Sequence, residues 1–330
     1  MNNSFIESIL SGNNKKPMPI LTYPAMKFTG SNTAETLTDA EKCAALSTEA
    51  AAHTDCAAVF CVMDLSVEAE AFGAEITFEN DSVPAVKDAL ITTPEQVRAL
   101  AVPDVNAKRC PIFIDAVSRI KKAVTDKPVF AGCCAPFSLC SRLTGLTECM
   151  MMMYDEPEAL QCLLEKCTEF LIKYIRAFQA AGADGVLLAE PVAGLISPAL
   201  EREFSAPFTK RLADAVKRDG FTLIYHNCGA SAEKMTDSLF DNGCDIYHFG
   251  EVADIVEILK KAPADKIISG NISPLDFFVN ASPDEMTAKV KNLLTECKNY
   301  PNFVLSSGCD IPQNAKWENI NAFFEAAKCR

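Results

Sequence analysis

AAGADGVLLAE (180–190) and DNGCDIYHFGE (241–251) follow one pattern: a helix end, a Gly and an Asp, a short apolar run, then Glu. Gly stops a helix by taking a left-handed turn, and a bounded apolar run reads as a strand buried on both faces. Along the chain the same kind of run recurs as PILTYP (19–24), AAVFCVM (57–63), PVFAGC (128–133), GVLLAE (185–190), FTLIYH (221–226), CDIYHF (244–249), KIISGN (266–271) and NFVLSSG (302–308). Segments of helical period lie between and after these runs, at 38–53, 111–124, 157–181, 198–218, 231–241, 251–262, 283–297 and 314–327. Eight strand-then-helix units predict an α/β fold, a (β/α)8 TIM barrel with a single parallel sheet. A doubly wound open sheet is the competing architecture.

At 330 residues, 49% of them hydrophobic, the chain can bury a large core, and one barrel domain over 1–330 with a short N-terminal extension accounts for its length. The stretch 64–84, DLSVEAEAFGAEITFENDSVP, alternates polar and apolar residues and reads as a β-hairpin excursion over the barrel mouth, a lid or an interface. A net charge of −13, from 31 basic and 44 acidic residues, argues against nucleic acid or an anionic membrane as partner, because phosphates need clustered Lys and Arg. The start, MNNSFIESILSGNNKKP, lacks a basic region followed by a long apolar run. No stretch reaches the roughly 18 apolar residues of a membrane span, so a cytoplasmic protein is expected. Fifteen cysteines, odd in number and scattered, suit a reducing compartment rather than a disulfide framework.

The chemistry concentrates at strand ends. His226 and Cys228 in LIYHNCG, with Cys309 in LSSGCDIP, offer one imidazole and two thiolates, the donors zinc prefers. Three protein ligands leave a fourth tetrahedral position open, and the spacing does not match the paired ligands of a zinc finger. In a barrel, His226, Cys228 and Cys309 all fall at the C-terminal rim of the strands, where active sites sit. The alternative is that the two cysteines are buried small apolar side chains and His226 a satisfied polar residue. Glu190 is a candidate catalytic residue, ligating the metal without substrate or accepting a hydrogen bond from His226, against the reading of a solvated loop carboxylate. Asn271 and Asp310 are candidates to hydrogen-bond within the mouth or support the metal ligands. Cys61, Cys133 and Cys134 are rival soft ligands on the same rim, read as structural. Met150–Met153 reads as core packing or as a flexible apolar surface for a large cofactor.

HNCG (226–229), GNISP (270–274), LSSGCDIP (305–312) and LLAEPVAGLISP (187–198) resemble the uroporphyrinogen decarboxylase superfamily. Within it they resemble the zinc-dependent corrinoid methyltransferase branch, in order and over almost the whole chain. The resemblance implies a barrel and Zn²⁺ held by His226, Cys228 and Cys309. It implies a methyl-corrinoid carried by a partner protein, and a small thiol such as coenzyme M as methyl acceptor. His248, at the end of the sixth candidate strand, is then a candidate contact to substrate or corrinoid, or a satisfied rim histidine. The family's decarboxylases carry an Arg-rich motif near the first strand, whereas PILTYPAMKFTG (19–30) has no Arg to pair with porphyrinogen carboxylates. A decarboxylase and a non-catalytic corrinoid- or zinc-binding protein are the alternatives carried forward.

Overall fold

The computed structural model describes residues 3–78 and 82–328. Seven parallel strands form its main sheet: β1 (Val59–Phe60), β4 (Val129–Cys134), β5 (Gly185–Ala189), β6 (Thr222–Asn227), β7 (Ile246–Phe249), β8 (Ile267–Ile272) and β9 (Phe303–Ser307). Each pairs with the next in that order, as expected where helices carry the chain back between parallel neighbours. The two remaining strands, β2 (Ile76–Thr77) and β3 (Ala85–Val86), form a separate antiparallel pair.

The expected first strand, 19–24, is not one: it is extended chain leading into a 3-10 turn at Tyr23–Ala25. Pro17 and Pro19 have no N–H to give, so a regular ladder cannot run through PMPI. What remains still bridges the two sheet edges. Met18 N donates to Leu305 O on β9 (2.9 Å), and Ala57 N, two residues before β1, donates to Pro17 O (2.8 Å). The sheet is therefore curled, with Pro17 and Met18 lying across the gap.

Along each strand the side chains alternate between two environments, as the period of two requires. Leu187, Ile224, Ile246, Ile267 and Val304 face inward in one cluster with Met18, Ile20, Phe60 and Phe130. Leu188, Tyr225, Tyr247, Ile268 and Leu305 face outward into the larger cluster shared with the helices.

Two other expectations change. The helix expected over 198–218 breaks at Ser205 into Pro198–Phe204 and Ala206–Val216. Pro207 is the cause, since its ring removes a donor and clashes with the preceding turn. The excursion at 64–84 is helical in its first half, Val67–Ala71, and only Ile76–Val86 makes the hairpin, whose tip at 79–81 lies outside the described residues. Among the described residues no helix is long and apolar enough to cross a membrane.

Candidate metal centre

The tripeptide Ile-Tyr-His occurs twice, at 224–226 and 246–248, and the two copies pair in register: Ile224 with Ile246, Tyr225 with Tyr247, His226 with His248. Both tyrosines face the helices, so both histidines point into the curled sheet, one step above the two isoleucines. Their rings meet there, with Nδ1 of His226 2.8 Å from Nδ1 of His248. On its other side His248 Nε2 lies 2.8 Å from Ser306 Oγ, and that hydroxyl donates to Met18 O at 2.8 Å.

Nε2 of His226 is left facing the two cysteines. It stands 3.6 Å from Cys309 Sγ, and the nearest donor atoms of His226, Cys228 and Cys309 all lie within 4.8 Å of one another. Around a tetrahedral zinc ion, a thiolate at about 2.3 Å and an imidazole nitrogen at roughly 2.0–2.1 Å stand about 3.6 Å apart. The arrangement fits one ion without rearrangement of that pair, and the donor set suits a borderline-soft divalent metal.

Two glycines allow this convergence. A Cβ on Gly308 would sit 2.7 Å from Glu251 Oε2 and 2.8 Å from Glu251 N; one on Gly250 would meet Cys228 Cβ at 2.6 Å. The loops after β7 and β9 therefore touch backbone to backbone, which brings Cys309 over Cys228. Asn271 braces the same place, donating from Nδ2 to Gly250 O (3.0 Å) and Ala253 O (2.8 Å).

Electrostatically the two thiols act as a pair. A hydrogen bond from Cys309 holds the Cys228 thiol below its usual range, while Cys309, which keeps the proton and is also partly desolvated, is pushed up to about 12. Two thiols of unequal proton affinity beside an imidazole nitrogen offer a site where a cation can displace a thiol proton. Burial holds the Asp310 carboxyl well above the carboxylate range; Thr22 Oγ1 donates to Asp310 Oδ1 at 3.4 Å.

The other candidates fall elsewhere. His248 is fully buried under His226 and does not reach the mouth; burial holds it well below the usual imidazole range. Glu190 is also fully buried, and it contacts neither His226's ring nor the sulfurs. Its two oxygens accept Phe137 N (3.0 Å) and Ser138 N (2.6 Å), so it caps the helix Pro136–Thr144, and burial pushes it up to about 7. Cys133 and Cys134 are buried thiols pushed well up by desolvation, and Cys61 Sγ packs 3.9 Å from Cys43 Sγ. Met150 to Met153 lie in the helix Leu146–Asp155, with Met151 exposed and Met153 in the core.

Sequence reasoning missed Ser306 and the Met18 carbonyl. The repeated Ile-Tyr-His was the available sign that two rings share one layer, but a backbone oxygen 288 residues from its partner leaves no mark in sequence. It also missed Glu68, a buried carboxyl that accepts Cys134 N at 3.0 Å and is pushed up to about 7 by burial.

Comparison with known proteins gives the family. The solved structure of a methyltransferase from Methanosarcina mazei superposes with a TM-score of 0.88 over 99% of this chain and 98% of its own, at 24% identity. The methylcobamide:CoM methyltransferase MtbA of Methanosarcina acetivorans is 24% identical over 330 residues, 95% of each chain. A uroporphyrinogen decarboxylase of Hydrogenovibrio crunogenus is 26% identical over 272 residues, 80% of this chain and 76% of its own. The family model for uroporphyrinogen decarboxylase (URO-D) matches residues 15–329, and the chain belongs to that family.

Proposed function

We propose that this protein is a zinc-dependent methyltransferase that moves a methyl group between a corrinoid carried by a partner protein and a thiol such as coenzyme M. The observation that carries the reading is the convergence of His226 Nε2, Cys228 Sγ and Cys309 Sγ at one point above the curled sheet. We read the whole chain as one (β/α)8 barrel domain in which residues 17–20 stand in for a strand, so that this point is the barrel mouth.

His226, Cys228 and Cys309 would hold the ion and leave its fourth position to the thiol. Zinc bound there would draw the proton from a thiol whose ordinary pKa is about 8.5, making a thiolate near neutral pH. As thiolate ligands, Cys228 and Cys309 offset the ion's charge and leave the acceptor sulfur electron-rich. That would favour attack on the methyl group of a methyl-Co(III) corrinoid, the C–S bond forming as the Co–C bond breaks with its electron pair left on cobalt as Co(I), over polarisation of a carbonyl. Asp310 and Asn271 act on the loops that carry the ligands, and we assign them no direct contact with the reacting atoms.

A large partner must reach the mouth. Phe78, Leu146, Leu195, Val252 and Leu275 are exposed, and each lies on a connection that leaves the C-terminal end of a strand. Such exposed apolar side chains suit docking of a corrinoid protein. The Methanosarcina acetivorans relative, a methylcobamide:CoM methyltransferase, supports the same pair of reactants. The odd count of fifteen cysteines supports a cytoplasmic setting.

The first test is elemental analysis of protein purified without added metal, beside His226→Ala, followed by assay of methylcobalamin with a panel of thiols. About one zinc per chain, lost in the variant, with thiol methylation that depends on it, is the expected result. Porphyrinogen decarboxylation that persists in metal-free protein would replace this reading with the decarboxylase one. Zinc without transfer to any thiol would leave a binding protein.

A further inference from the structure

The chain of contacts behind His226 ends on a group that can only accept. We infer that His248 and Ser306 are positioning residues that set the ring tautomer of His226, presenting a bare Nε2 to the metal. This inference rests on the proposed ligand role of His226.

The proton count carries it. Met18 O is a carbonyl, so the 2.8 Å contact with Ser306 Oγ requires the serine hydroxyl to donate. Having one hydrogen, Ser306 must then accept at its second contact, so His248 Nε2, also 2.8 Å away, carries a proton. The fully buried His248 ring is hydrogen-bonded to an imidazole and a hydroxyl, with no carboxylate to balance a charge, so it is neutral and has no proton left for Nδ1, which accepts from His226 Nδ1 across 2.8 Å. The remaining nitrogen of His226, Nε2, is a lone pair, and it is the atom 3.6 Å from Cys309 Sγ. Had the proton sat on Nε2, His226 could not ligate. His226, His248 and Ser306 are all buried, so water does not compete for these bonds. The chain's last link is also a fold contact, because Met18 N is bonded to Leu305 O. The segment that spans the sheet edges is thereby tied to the ligand.

The test uses the fact that the protein has three histidines, of which His53 is at the surface. Long-range proton–nitrogen spectra of protein labelled with ¹⁵N-histidine, metal-free and zinc-loaded, read each tautomer directly. Expected are the proton on Nδ1 of His226 and on Nε2 of His248. Ser306→Ala should scramble this pattern and weaken zinc binding about 10–100-fold, the range usual for partners behind a ligand, in competition with a chromophoric chelator. Ser306→Thr, which keeps the hydroxyl, should restore both. Opposite tautomers in the unmutated protein, or full zinc affinity in Ser306→Ala, overturns the inference while leaving the metal reading intact. Failure of the unmutated protein to bind zinc overturns both. The unmutated spectrum decides the matter if Ser306→Ala does not fold.

Discussion

Two layers of the same strands, two residues apart, have opposite chemistry. The lower layer holds Ile224 on β6, Ile246 on β7, Ile267 on β8 and Val304 on β9. The next inward positions are His226, His248, Ser269 and Ser306, all buried. The backbone treats both layers alike, with the same parallel ladder and the same inward direction. The lower layer is held by apolar burial, which is non-directional and tolerates any well-fitting shape. In the upper one His226, His248 and Ser306 are held by hydrogen bonds whose direction is set at Met18 O, while Ser269 Oγ is buried without a partner, a state that costs about 1–3 kcal/mol. The lower layer thus supplies stability, and the upper layer supplies orientation.

The sharpest way to break that division is Cys309→Ala. Zinc should fall from about one per chain to none, with methyl transfer lost, while stability changes by less than about 1 kcal/mol because Cys309 is only partly buried. Elemental analysis and urea melts check both halves; a variant that keeps its zinc would remove Cys309 from the ligand set. The converse is Ile246→Ala, expected to cost about 2–5 kcal/mol of stability through lost burial and the cavity left behind. Zinc affinity of the folded fraction should hardly move, and a large loss of affinity would mean the layers are coupled.

A smaller effect separates Glu190 from the metal centre. Its carboxyl is pushed up to about 7 by burial, so between about pH 4.5 and 7 the folded chain keeps a proton that the unfolded chain has released. Its contribution to stability therefore falls as pH rises through that window, by at most about 3 kcal/mol. Glu190→Gln should flatten the fall in urea midpoint between pH 5 and 7.5, leaving the part due to Glu68, which shifts the same way. An unchanged slope would show that the two helix N–H groups hold Glu190 ionised. Smallest of all, Val252→Asp on the rim should leave zinc content unchanged and stability within about 0.5 kcal/mol. It should weaken transfer from a protein-bound corrinoid more than from free methylcobalamin, and equal effects on the two donors would argue against docking there.

Much of the architecture is visible in local patterns. The runs at 57–63, 128–133, 185–190, 221–226, 244–249, 266–271 and 302–308 each overlap a strand of the main sheet, three of which run one residue further, since burial on both faces favours apolar runs. The run at 19–24 misled because its composition is apolar while its prolines withhold the donors a ladder needs. Residue type alone singled out His226, Cys228 and Cys309. It could not show what Glu190 and His248, at the ends of strands of the same sheet, contact.

The order of strands and helices, the acidic surface and the soft donors at the strand ends were determined by sequence, because hydrophobic period, charge and ligand chemistry are properties of residues and their near neighbours. Only the tertiary structure decided that Cys309 meets His226 across 83 positions, that Glu190 caps a helix, and that His248 lies behind His226. Those facts depend on loop closure, strand register and the direction of single hydrogen bonds, and each of these joins residues that are distant along the chain.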